Sequence, residues 1–417
     1  MPYVKLTLPN GARILRERVP GARSAALGVW IASGSRHESA AESGAAHFIE
    51  HMVFKGTRSR TASQLAARLD ELGGQVDAFT SREYTCFHGR TLDSRLRQLA
   101  DIFGDMLFNS NFDEDDVVNE RGVILEEIDM YEDAPEDVVS DRMFSAVFRG
   151  NGLARPILGK RSTLSRMDGQ FLRDRMARVY RGGDVVIALA GGYARGDAEY
   201  AAKVFSAFAP GGNAPLKAAR YTPSITVKRK NIEQNHFCVS FPCARVTDDR
   251  RYATQLLSDI LGGGMSSRLF QSVREARGLC YGIYTQVSSF RDTGLFSICT
   301  ALGSRTQDDA LSLIADELGK LVSRGVTDDE LSRAREQVRT NILLGLESTV
   351  TRMNRLARGE LYFGRVQEAD EVVAAYEAVT AGDVRELAAE IFDSSLMSLS
   401  AAGKVGDGEH YADLLRF

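Results

Sequence analysis

A chain of 417 residues exceeds what one hydrophobic core usually organises, so its length points to two or more domains. A formal net charge of −4 leaves no electrostatic footprint for nucleic acid, and there is no run of about 18 apolar residues to span a membrane. The first residues lack the basic start and apolar stretch of a secretory signal, and five cysteines without Cys-x-x-Cys spacing read as buried free thiols of a cytoplasmic protein.

Val4 to Leu8 and Ala12 to Arg16 alternate around Pro9-Asn10-Gly11, which predicts a hairpin, and Ala25 to Ser33 reads as a third strand. A polar stretch from Gly34 to Ser43 leads into a helix carrying His47, Glu50 and His51. Thr61 to Leu72 is helical, with Leu65, Leu69 and Leu72 on one stripe and Gly73-Gly74 as the stop. Val76 to Phe79 and Tyr84 to Arg90 pair as strands. Helices follow from about Asp93 to Phe108, from Asp113 to about Tyr131 and from Pro135 to about Phe148, and then an apolar strand from Val185 to Ala190.

Residues 208 to 224 hold three prolines and break the periodicity, which is linker composition. Beyond them the pattern restarts: strand His236 to Pro242, helix Asp248 to Leu261, helix Ser267 to Ala276, strands Cys280 to Ser289 and Gly294 to Ala301, and long helices from Gln307 and Asp328. Phe112-Asp113-Glu114-Asp115-Asp116-Val117 is similar to Val326-Thr327-Asp328-Asp329-Glu330-Leu331, each opening a long helix. The reading is an internal duplication of one α+β unit, with a first domain over 1–208, a linker over 209–224 and a second domain over 225–417. A contiguous first domain of this kind is expected to bind metal when expressed alone.

His47-Phe-Ile-Glu50-His51 puts two imidazoles one helical turn apart, close enough to share a divalent ion, with Glu50 beside them. The order inverts the commoner His-Glu-x-x-His zinc motif. Carried to the second half, these positions fall opposite Leu261, Gly264 and Met265, so only the first half is equipped for this metal. A third ligand is sought in Glu120-Arg-Gly-Val-Ile-Leu-Glu126-Glu127, where Glu120, Ile124, Glu127 and Tyr131 share one stripe. Spacing alone does not choose between Glu126 and Glu127. Gly262-Gly263-Gly264 lacks the ending of a phosphate-binding loop and follows a helix, so it reads as a turn or helix cap rather than a nucleotide site.

The stretch His47-Phe-Ile-Glu50-His51-Met-Val-Phe-Lys-Gly-Thr57, with Glu127 standing 76 positions after His51, closely resembles the pitrilysin superfamily of zinc peptidases. Within it the chain looks like bacterial relatives of the mitochondrial processing peptidase β subunit. The resemblance continues through Val76-Asp-Ala-Phe-Thr-Ser-Arg-Glu83, Leu261 to Phe270 and Arg274-Glu-Ala-Arg-Gly-Leu-Cys-Tyr281. It implies two homologous domains of antiparallel sheet plus helices, the processing-peptidase/LuxS-like metallohydrolase fold, closing as a clamshell on a peptide. One Zn²⁺ per chain is implied on His47, His51 and Glu127, with Glu50 as general base and Glu120 orienting a ligand histidine. Arg274 and Tyr281 are implied to contact substrate, Ala78 and Phe79 to lie on an edge strand that pairs with it, and Asp137 and Asp141 to bind a substrate arginine. The family commonly has Asn where this chain has Asp77. The expected assembly is an active homodimer; a heterodimer with an inactive homologue and a non-catalytic scaffold of the same fold are the rival readings.

Overall fold

The computed structural model describes residues 3–417 and resolves the chain into two units, neither contiguous in sequence. The first takes the chain up to Ile128, Arg155–Lys217 and Leu344–Gln367; the second takes Asp129–Ala154, Ala218–Leu343 and Glu368–Phe417.

The first unit is built on a six-stranded sheet of Val4–Thr7 (β1), Arg13–Arg18 (β2), Ser24–Ile31 (β3), Gln75–Thr80 (β4), Thr85–Leu92 (β5) and Val185–Gly191 (β6), in the order β1-β2-β6-β3-β5-β4. The second is built on Ile225–Arg229 (β7), Gln234–Cys243 (β8), Cys280–Ser289 (β9), Gly294–Gly303 (β10) and Ser398–Gly403 (β11), in the order β9-β10-β8-β11-β7. Read from β4 and from β9, the two orders coincide strand for strand, with β1 as the addition in the first unit. Each sheet has one parallel pair, β2 with β6 and β7 with β11, at the same place. Every other pairing described in the two sheets is antiparallel, as expected. In each case the second strand of the pair returns after a long helical excursion, which is what a parallel neighbour requires.

On one face of the first sheet, Leu27, Val29 and Ile31 pack with Phe48, Ile49, Leu99 and Phe103. The other face presents Leu15, Trp30, Val186 and Ala188. It is covered by Met353, Leu356, Ala357 and Leu361, from a helix, Thr349–Phe363, that lies far along the chain. Trp30 Nε1 donates to Met353 Sδ at 3.5 Å, and buried Glu17 pairs with Arg352 and, at 2.9 Å, with Arg355. The second sheet receives the converse treatment. Val139, Met143, Phe144 and Val147, on the helix Pro135–Val147, pack against Cys238, Leu295 and Ala402. Each half of the sequence thus supplies the outer helix of the other half's sheet, unlike the 1–208, 209–224 and 225–417 division expected. Between Phe205 and Ile225 the described residues form no helix or strand, only an isolated bridge from Arg181 to Ala209. Of the five free cysteines, Cys86 and Cys238 are buried, whereas Cys243, Cys280 and Cys299 are half-buried. Among the described residues no helix is long and apolar enough to cross a membrane.

The exchange changes what a truncated chain should do. A fragment of residues 1–208 lacks Thr349–Phe363 and would expose the face around Leu15, Trp30 and Val186, at on the order of 1.5–3 kcal/mol per large apolar side chain left in water. Expressed alone it should aggregate or bind a hydrophobic dye. Fusing residues 344–367 to it through a flexible linker should restore a cooperative thermal transition. A soluble, cooperatively folding 1–208 fragment would show the outer helix to be dispensable.

Candidate metal centre

The helix that carries the histidines, Ala45–Met52 (α1), is only eight residues long and is fixed at its start by groups outside it. Gly44 enters at φ 96, in the left-handed region, and a side chain there would put its Cβ 2.8 Å from the Gly159 Cα. No side chain of α1's own cap is available, so buried Glu38 takes that part. Its Oε1 accepts from the Ala46 N–H at 2.8 Å and its Oε2 from the Gly44 N–H at 2.9 Å. Burial pushes the Glu38 carboxyl up to about 7, against the two amide donors and the Arg175 and Arg155 guanidinium groups, which all pull it down.

With α1 so fixed, His47 and His51 turn the same way, their Nε2 atoms 3.3 Å apart. The second helix of the site, the longer Glu114–Asp133 (α2), brings Glu127 to them, its Oε2 at 3.6 Å from His47 Nε2 and 3.8 Å from His51 Nε2. These three residues offer ligand atoms that all lie within 4.8 Å of one another. Along α2, Glu120, Ile124 and Ile128 are buried and Glu127 half-buried, whereas Glu126 and Tyr131 are exposed. The rotation of the helix therefore separates the two adjacent glutamates that spacing left equivalent.

Glu120 does not join the three ligand atoms. Its Oε1 meets His51 Nδ1 at 2.8 Å and its Oε2 meets Lys55 Nζ at 2.6 Å. A proton held on Nδ1 toward that carboxylate leaves the lone pair of Nε2 facing His47 and Glu127. Burial, with the neighbouring His51 adding to it, pushes His47 down to about 3, so burial favours the neutral form of this ring. Two imidazoles and one carboxylate, with nitrogen atoms converging and a carboxylate anchoring one ring from behind, fit a zinc ion with three protein ligands.

Glu50 projects from the same helix. Its Oε2 accepts a hydrogen bond from Thr80 Oγ1 at 2.5 Å. Burial raises its carboxyl above the usual range, and the charges of Glu127 and Asp77 add to this, while the Thr80 bond and His51 act the other way. Thr80 stands on β4, the edge strand, paired on one side only, with β5. Ala78 is half-buried on that strand; Phe79 is exposed, its ring edge-on to Trp30 at 5.7 Å. Asp77 Oδ1 accepts from the Ala78 N–H at 2.8 Å. Thr80, Lys55 and Glu38 were not singled out from the sequence. The alternation of β4, which sets Thr80 on the same face as Ala78, was the one signal available for any of them.

Four other candidates belong to the second unit. The Arg274 guanidinium lies over the Phe270 ring at 4.4 Å and the Tyr281 ring at 5.3 Å, and Tyr281 is 82% exposed. Asp137 and Asp141 share the helix Pro135–Val147; burial, then the Glu136 and Asp141 charges, raise the Asp137 carboxyl.

Duplicated mixed sheets carrying one inverted His-x-x-Glu-His helix define a zinc peptidase of the inverted-motif class. The family model for Insulinase (Peptidase family M16) matches residues 13–161, and that for the Peptidase M16 inactive domain matches residues 166–338. This chain belongs to the M16, or pitrilysin, family of zinc peptidases, and its cofactor is Zn²⁺. It is 38% identical to the uncharacterized zinc protease YmxG of Bacillus subtilis over 404 residues, covering 96% of this chain and 99% of the relative. It is also 38% identical to an uncharacterized zinc protease of Streptomyces coelicolor, covering 97% and 90%. A peptidase M16 inactive domain from Pseudomonas fluorescens shares the fold at TM-score 0.91 and 21% identity, over 97% of this chain and 99% of that one.

Glu127→Gln should weaken zinc binding by at least about 10–100-fold, the loss that even an outer-shell change causes, whereas Glu126→Gln should leave it unchanged. Equilibrium dialysis against a zinc buffer measures both. Equal affinities in the two variants would remove Glu127 from the ligand set.

Proposed function

We propose that this protein is a zinc endopeptidase that cleaves extended peptides or unfolded, presequence-like polypeptides inside a closed chamber, as a cytoplasmic homodimer related to the processing peptidase β subunit. The observation that carries the reading is the convergence of His47, His51 and Glu127 within 4.8 Å, with Glu50 between the two histidines on α1. His47, His51 and Glu127 hold the ion, and Glu120 orients His51. Bound Zn²⁺ would supply Lewis acidity, lowering the pKa of water and polarising a carbonyl. Glu50 accepts the proton of the attacking water and returns it to the leaving amine, a task for which burial raises its carboxyl above the usual range. The substrate adds to the open edge of β4 through backbone hydrogen bonds at Ala78 and Phe79. Arg274 and Tyr281 supply further substrate contacts; their cation–π pairing supports a shared role. A single chain with both the metal motif and this pair supports a homodimer of active subunits, and the five free cysteines support a reducing compartment.

Glu50→Gln should keep zinc and lose peptidase activity by at least about 10²-fold, the usual scale of general base catalysis. Metal analysis and kcat/KM on an unstructured peptide test it, and normal turnover would remove Glu50 from the mechanism.

Asp137 and Asp141, one turn apart on one helix, offer converging carboxylates to a guanidinium fork, and the like-charge cost of holding them together falls when a cation lies between. Peptides with Arg one or two residues before the scissile bond should be preferred over the same peptides with Ala. The double change Asp137→Asn with Asp141→Asn should erase most of that preference while neutral peptides are cleaved as before. An unchanged Arg/Ala ratio of kcat/KM would make the pair a solvated helix face.

A further inference from the structure

The Glu50 carboxylate is held by a strand, not by its own helix. Thr80 Oγ1 lies 2.5 Å from Glu50 Oε2 and 3.4 Å from Thr85 Oγ1. Thr85 donates its own hydrogen to the Ser33 carbonyl at 2.9 Å, so toward Thr80 it presents only an acceptor. The single Thr80 hydrogen therefore has two acceptors to choose between, a near carboxylate and a farther hydroxyl. The charge-assisted bond to the carboxylate is the stronger. A glutamate's terminal torsion is broad and roughly two-fold, so an unheld carboxylate would exchange its oxygens and sweep a range of orientations. Fixing Oε2 leaves Oε1 as the free acceptor and fixes the direction in which it points.

The strand matters as much as the bond. On β4 the half-buried residues are Val76, Ala78 and Thr80, alternating with exposed Gln75, Asp77 and Phe79. Thr80 follows Ala78 by two residues, about 6.6 Å along the strand. The strand whose open edge would hold a peptide is thus also the strand that holds the base. A shift of β4 would move peptide backbone and base acceptor together, which preserves the geometry between reacting groups.

We infer that Thr80 is a positioning residue for Glu50, tying the orientation of the catalytic carboxylate to the edge strand on which substrate is laid. The inference rests on the reading of Glu50 as general base, and the test separates the two. Thr80→Val removes the hydroxyl at nearly constant shape. It should lower kcat about tenfold or more, the scale of a hydrogen bond to a charged group, with KM, zinc stoichiometry and the thermal midpoint of the metal-free protein unchanged. Thr80→Ser keeps the hydroxyl and should recover most of the lost rate. In a Glu50→Gln background, Thr80→Val should cause no further loss, because the group it acts through is gone. Thr80→Ala repeats the comparison should valine disturb packing. Wild-type kcat in Thr80→Val, the same proportional loss in the Glu50→Gln background, or loss of zinc from both the Val and Ala variants would each overturn the assignment of Thr80 while leaving Glu50 in place. Normal turnover by Glu50→Gln alone would overturn both.

Discussion

The metal centre depends on a carboxylate that is neither ligand nor base. An eight-residue helix is too short to be stable on its own, and its first turn leaves amide N–H groups without intrahelical partners. Glu38 takes two of these, at Gly44 and Ala46. It does so inside the protein, at 3% exposure, where leaving two amides unsatisfied would cost roughly 1–3 kcal/mol each. Near it, buried Arg175 pairs with Glu42 at 2.8 Å, and its charge also favours the ionised form of Glu38. Gly44 has to be small for the same reason, because Gly159 fills the space beside it. His47, Glu50 and His51 inherit their directions from that anchorage, and each further bond at the site assumes it.

How much of this the sequence disclosed depends on how local each cause is. The pairing of His47 with His51 is set by one helical turn and is fully legible. Which of Glu126 and Glu127 lies beside the histidines is set by the rotation of α2, which follows from burying Ile124 and Ile128; the isoleucines are visible in the sequence, but not the surface they face. The exchanged outer helices left no local trace. Val139, Met143 and Phe144 have an apolar periodicity that would suit either sheet, as do Met353, Leu356 and Leu361. Which sheet each covers is decided by chain geometry over hundreds of residues, so a contiguous division was the natural reading and the structure departs from it. Glu38 and Lys55 leave no sequence signal, and Thr80 leaves only the alternation of β4, for a related reason. Each meets its partner through space: Glu38 precedes the motif, Lys55 reaches back to Glu120, and Thr80 comes from a different element.

The duplication shows what the metal helix displaced. The two sheets share an order, including the position of the parallel pair, so both units solve the same packing problem. In the second unit the helix after β8 is Arg251–Gly262, whose Leu256, Leu257, Ile260 and Leu261 are all buried. It ends at the glycine run, with Gly263 as its cap, in keeping with a role for those glycines as a helix stop. In the first unit the helix after β3 is shorter and gives up part of its apolar surface to two imidazoles and a carboxylate. Phe48, Ile49 and Met52 remain to hold it against the core.

The charges around those imidazoles fix what the site is built to accept. Glu50, Glu120, Glu127 and Asp77 lie close enough to influence one another or the histidines, and Lys55 is the cation paired directly with one of them. Glu120 is accounted for by Lys55 and His51. Glu50 and Glu127 are not: burial raises both carboxyls, and each has only His51 or Thr80 to counter it. Two under-compensated acids beside two rings, one of them held neutral by burial, leave an excess of negative charge in a poorly solvated place. A divalent cation held by His47, His51 and Glu127 would remove that excess and would favour the ionised forms of both carboxyls. The acidity that makes the bare site electrostatically poor is therefore the feature that suits it to zinc.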